Sequence, residues 1–184
     1  MGDDPRPHLS EVQDMLDTVP LQNAYHALLD AAAAAYAEDP SPTPPDGEWN
    51  ADQILAHVSL VSAATITAVA GIAAGATTTY DNRIALDAWT IQQTVAHAGR
   101  NAALRDRIRN QAAALCALAG GAALSDAELS TLVPVRLLSH DTLLVDRPMP
   151  LRDIVTGLAE AELPGHTKQL LALLSDQAAA EATR

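Results

Sequence analysis

Two histidines and a glutamate stand out as side chains placed to do chemistry: His57, Glu162 and His166. His57 comes three residues after Ile54 and four before Val61, so helical phase sets it on the apolar stripe of its segment. Glu162 and His166 continue the stripe Leu151, Val155, Leu158 and lead on to Leu170 and Leu173, so they project side by side. A carboxylate in a core is costly and persists only if paired, protonated or bound to a metal. A histidine facing a Glu-x-x-x-His pair offers three N/O ligands to a divalent ion and leaves a fourth position open, the pattern of a catalytic zinc site. Two plainer readings share this spacing: a hydrogen-bonded core histidine at 57, and a simple i,i+4 pair at 162 and 166. Pro164 and Gly165 lie between that pair, and a proline inside a helix removes a backbone bond, so the geometry requires a tolerated kink.

Helices must hold these groups, and the composition suits helices. Apolar residues make up 48% of the chain, much of it alanine, and phenylalanine is absent. Alanine favours helix and cannot fill a wide sheet-on-sheet core. The expected architecture is all-α: one domain over 1–184, an antiparallel four-helix bundle with a short hairpin before the last helix. Residues 1–15 read as a polar, proline-containing arm. A first helix is expected from Thr18 to Tyr36 on the stripe Leu21, Ala24, Tyr25, Leu28, Leu29, Ala32, Tyr36, and the proline-rich EDPSPTPPDGE (38–48) stops it. A second starts at Asn50, with Gln53 as capping-box partner, and runs to about Ala70 on Ile54, Val58, Val61, Thr65, Ala68 and Ile72.

The third helical region spans Asn82 to Leu118, with Trp89, Val95, Ala98, Leu104, Ile108, Ala112 and Leu115 inward. Gly99 marks a kink or a break in it, and Gly120-Gly121 ends it. Ser125 to Glu128 caps a short turn, and 133–146 reads as a hairpin whose Pro134 confines its strand to an edge. The last helix runs from Pro150 to about Leu174, before a polar tail over 175–184.

Net charge is −12, which repels phosphate backbones and argues against nucleic-acid binding. Arg100, Arg105, Arg107 and Arg109 cluster, and read as a solvated helix face. The stretch Val58 to Tyr80 is free of charge but rich in Ala, Thr, Ser and Gly, with flanks that are not basic, so a buried helix is expected rather than a membrane span. A single cysteine, Cys116, sits in an apolar run with no activating neighbour and is expected to be inert. With no signal-peptide pattern at its start, the chain reads as cytoplasmic. Of the other histidines, His8 falls in the arm, His26 and His97 on outer helical phases, and His140 at the hairpin turn. Trp49 and Trp89 read as packing residues.

GEWNADQILAHVSLVSA (47–63) resembles the second helix of the DinB/YfiT-like superfamily, with a tryptophan at the helix start and an apolar run delivering a histidine. LRDIVTGLAEAELPGHTKQLLAL (151–173) resembles that superfamily's last helix. The His…Glu-x-x-x-His order of His57, Glu162 and His166 is that of its mycothiol-dependent maleylpyruvate isomerase branch, and the middle of the chain is matched only in outline. The resemblance implies a metal-dependent helical bundle, often dimeric, so a homodimer is one expected form. It further implies a divalent ion (zinc first, nickel second) on His57, Glu162 and His166, and a low-molecular-weight thiol such as mycothiol as co-substrate. The activity expected is thiol transfer or isomerisation of a small electrophile, with a non-catalytic metal- or ligand-binding bundle as the rival. The Ala- and Arg-rich, Lys-poor composition suits an actinobacterial source.

Overall fold

The computed structural model describes residues 15–38, 44, 47–121, 124–139 and 142–182; they are mostly helical, with a small three-stranded sheet. Helix α1 (Val19–Glu38) buries Leu21, Tyr25, Leu28, Leu29 and Ala32, the face its spacing predicts. The Asp17 carboxylate accepts from the Val19 N–H at 2.9 Å and satisfies one of the free donors at its start. The arm over 1–14 and most of the proline-rich segment lie outside the described residues.

Helix α2 (Ala51–Ala73) begins with the expected capping box. Asn50 Oδ1 accepts from the Gln53 N–H and Gln53 Oε1 from the Asn50 N–H, both at 2.9 Å. All six positions of its predicted stripe are buried, and so are Leu55, Ala56 and Ser59, which makes residues 54–59 buried on every side. A helix enclosed all round must be apolar all round, which is why this run contains no charge. It is long and apolar enough to cross a membrane by length and composition, yet most of it is buried as the molecule's central helix.

The region expected over 82–118 is divided into α3 (Arg83–Leu86), α4 (Ala88–Ala98) and α5 (Arg100–Gly120). Gly99 at φ +91° and Arg100 at φ +69° take the left-handed conformation, which no α-helix passes through, so Gly99 is a break. Because α4 starts afresh on the Asp87 cap, it sets its own phase: Ile91 is its buried residue, and Trp89, expected inward, is 68% exposed. Arg100 lies beside Asp52 at the start of α2 and α5, and Gln111 Nε2 donates to the Ser59 carbonyl at 3.0 Å further along both. These two helices therefore run parallel, where an antiparallel arrangement was expected. The end of α5 at Gly120 instead meets Thr18, so α1 and α5 are antiparallel.

After the short helix α6 (Asp126–Leu129), held by a Ser125/Glu128 capping box, the expected hairpin forms from β2 (Leu132–Ser139) and β3 (Thr142–Pro150). A third strand, β1 (Tyr80–Asp81), adds to β2 in parallel, giving the order β1-β2-β3. The strand with Pro134 is thus the middle one, contrary to expectation. The proline is accommodated because β1 reaches only Val135 and Arg136, and because Pro148 stands opposite it in β3. The last helical stretch is continuous: α7 (Leu151–Gly157), a π-helical turn (Leu158–Glu162), and α8 (Leu163–Ala182). It extends past Leu174, so 175–182 is helix where a polar tail was expected; QAAAEA is made of strong helix formers.

Candidate metal centre

His57 is delivered by the buried first half of α2 and is 2% exposed. Glu162 closes the π-helical turn, and His166 sits one turn into α8. The turn resolves the difficulty posed by Pro164. In an α-helix the proline ring would press on the carbonyl of Glu160, but here the Leu163 N–H bonds back five residues to the Leu158 carbonyl and the backbone widens. Glu162 and His166 keep their side-by-side placement as a result, with His166 Nε2 at 3.3 Å from Glu162 Oε1. His57 Nε2 lies 3.0 Å from the same oxygen. The three sequence-predicted ligands are therefore brought together, with their ligand atoms all within 4.8 Å of one another.

The other ring nitrogens determine what these atoms can do. His57 Nδ1–H donates to the Ala85 carbonyl at 2.8 Å, and a carbonyl only accepts, so the proton of a neutral His57 ring sits on Nδ1. His166 Nδ1–H donates to Gln169 Oε1 at 2.7 Å in the same sense. Both neutral rings then turn a bare Nε2 lone pair toward an anionic carboxylate. Three acceptors without a proton among them repel, unless a cation lies between or the rings are protonated. Bonds of about 2.0–2.2 Å to one ion put neighbouring ligand atoms roughly 3.0–3.5 Å apart; the two N···O separations fall in or near that range, and the three atoms, spread over up to 4.8 Å, would draw together to share an ion. Where the rings carry protons on Nε2, hydrogen bonds from His166 and His57, together with their charge, outweigh burial and hold the Glu162 carboxyl well below the usual carboxylate range.

Ala85 is on α3, 28 residues from His57 in sequence, and the sheet puts it there. β1 pairs with Val135 and Arg136, and then Asn82 continues the ladder with its side chain. Its Nδ2 donates to the Leu138 carbonyl and its Oδ1 accepts from the Leu138 N–H, both at 2.9 Å. The Ala85 N–H in turn donates to the Asn82 carbonyl at 3.0 Å. The small sheet thus fixes the carbonyl that sets the His57 tautomer.

A cavity of about 450 Å³ opens onto His57, Glu162 and His166, walled by Trp49, Leu86, Leu137, Leu138 and Leu144. The Trp49 ring centroid is 4.9 Å from that of His57 and 6.4 Å from that of His166, nearly parallel to the latter at 18°. Sequence reading took Trp49 for packing and did not assign Gln169 or Ala85 a role. Trp49 just before the Asn50 cap, and Gln169 three residues after His166, were the available signals; nothing local pointed to Ala85.

His26 and His97 are exposed, and His97 Nδ1–H bonds its own helix at the Gln93 carbonyl, 2.7 Å away. His8 and His140 lie outside the described residues. Arg107 and Arg109 are exposed, and Arg109 pairs with Asp106, as on a solvated face. Cys116 does not line the cavity, and burial pushes its thiol up. No family model matches the chain, and neither a curated protein nor a solved structure matches it.

Proposed function

We propose that this chain is a divalent-metal enzyme of the DinB/YfiT-like kind, with α1, α2, α5 and the α7–α8 stretch as that superfamily's four-helix bundle. It transfers or isomerises small electrophiles with a low-molecular-weight thiol such as mycothiol, in the cytoplasm. The observation supporting a metal is the convergence at Glu162: two ring Nε2 atoms lie 3.0 Å and 3.3 Å from one carboxylate oxygen while both Nδ1 atoms face acceptors elsewhere. Two imidazoles and a carboxylate suit zinc, with nickel as second choice, and leave a position open.

A bound divalent ion would lower the pKa of a thiol entering that open position. The protein's own groups do the rest. His57, Glu162 and His166 supply one negative charge, so a dication would retain a net charge of +1, suited to an anionic sulfur. The Ala85 carbonyl and Gln169 hold the two rings in place. Trp49 and the leucines of the hairpin give the cavity an apolar wall beside that position. Cys116, with its thiol raised by burial, supplies no competing nucleophile.

The test is elemental analysis of untagged protein, followed by a thiol-consumption screen with electrophilic substrates. About one divalent ion per chain together with thiol-dependent turnover supports the proposal. Stable metal without turnover favours a non-catalytic binding protein, and absence of metal after reconstitution refutes both.

A further inference from the structure

We infer that the part of a ligand seated in this cavity is small, uncharged and largely apolar, and meets the metal position through a single donor atom; this rests on the metal-centre reading above. The wall opposite the ligands is Trp49, Leu86, Leu137, Leu138 and Leu144, and Leu144 is 63% exposed, an apolar surface left open at the mouth. None of the described lining residues is Lys or Arg. The charged side chain among them besides the three ligands is Glu48, itself an anion. Two of the neutral polar groups are engaged with the protein. Both ends of the Asn82 amide bond the Leu138 backbone, and Gln169 Oε1 accepts from His166.

A carboxylate remote from the metal-binding donor atom would therefore lose water without gaining a cation from the wall, a costly exchange in a half-closed site. The net charge of −12 adds long-range repulsion. An apolar body gains contact with four leucines and an indole, and a cavity of about 450 Å³ is of small-molecule size. A doubly anionic substrate such as maleylpyruvate is a poor fit, so this chain differs in specificity from the isomerase branch whose ligand order it shares.

The experiment uses the full chain loaded with cobalt(II), confirmed by its visible ligand-field bands, and follows the thiolate-to-cobalt absorption during titration. Benzyl mercaptan and 4-(mercaptomethyl)benzoate present the same thiol and ring and differ in a remote carboxylate. Benzyl mercaptan should bind about tenfold more tightly or better. Straight-chain thiols from propane- to hexanethiol should gain about two- to fourfold per methylene. Leu144→Lys, at an exposed position, should shrink the preference for the uncharged ring without changing cobalt content. Equal or tighter binding of the benzoate or a flat chain-length series overturns the inference alone, whereas failure of every thiol to bind cobalt-loaded protein overturns both the inference and the thiol-dependent activity proposed above, leaving the metal site standing. A chain that takes up no cobalt overturns the metal reading, and this inference with it.

Discussion

His57 Nε2 lies 3.0 Å from Glu162 Oε1 across a sequence separation of 105 residues, while the His57 Nδ1–H is committed to the Ala85 carbonyl. This pairing joins the central helix α2 to the π-helical turn. With His166 on the same oxygen, it leaves a cation or two extra protons as the ways to satisfy the cluster.

Metal binding should follow the geometry. Purified protein should hold about one divalent ion per chain, and His57→Ala should remove most of it. Gln169→Leu, which leaves the ligands intact but frees the His166 ring, should weaken binding roughly tenfold to a hundredfold. His26→Ala and His97→Ala should bind like wild type, since both side chains are exposed and remote from the cluster. Equal metal content in all four variants would place the site elsewhere.

Turnover should depend on the Glu162 charge and not on the protein's own sulfur. Glu162→Gln keeps the shape but removes the anion, so thiol-dependent activity should fall at least about tenfold while the helical circular dichroism spectrum is kept. Cys116→Ser should retain activity. A protein that survives the first change and is silenced by the second would contradict the proposed role of the metal.

The same carboxyl governs acid sensitivity of the metal-free protein. Its folded pKa lies below the ordinary value near 4.5, so it contributes stability that is present above that value and lost as pH falls toward the folded pKa. The stability difference between wild type and Glu162→Gln, read from urea midpoints, should narrow between about pH 5 and pH 3. A difference that widens over that interval would show that the histidines do not favour the carboxylate form.

Gly120 is a packing glycine. A Cβ there would come within 2.7 Å of Thr18 Oγ1 and 2.8 Å of its Cγ2, at the junction of α1 and α5. Gly120→Ala should destabilise by about 1–3 kcal/mol, and adding Thr18→Ala should recover most of it. Additive losses in the double variant would rule out this contact as the cause.

Leu55 is fully buried in the part of α2 enclosed on all sides. Leu55→Ala should cost about 2–5 kcal/mol in thermal or urea unfolding. A loss below about 1 kcal/mol would mean that the helix is less central than its burial indicates.

What the sequence by itself determined is the local part of this protein. The 3.6-residue period placed the α1 and α2 faces, and put His57, Glu162 and His166 inward. The Asn50/Gln53 and Ser125/Glu128 boxes were readable because a cap and its partner are three residues apart. The left-handed pair at Gly99 and Arg100 was half readable: the glycine marked the place, but whether the helix bent or broke there depended on how α4 and α5 pack against α2. The phase of Trp89 was lost with the fresh start of α4 at Asp87. The remainder is tertiary. Pairing of Tyr80 and Asp81 with Val135 and Arg136, the Asn82 clamp, the parallel course of α2 and α5, and the Ala85 carbonyl on His57 all join segments far apart in the chain. Local spacing carries no information about which distant backbone group will meet a given side chain. So spacing could nominate the three candidate ligands, while only the packed structure decided which groups the ring nitrogens of His57 and His166 meet.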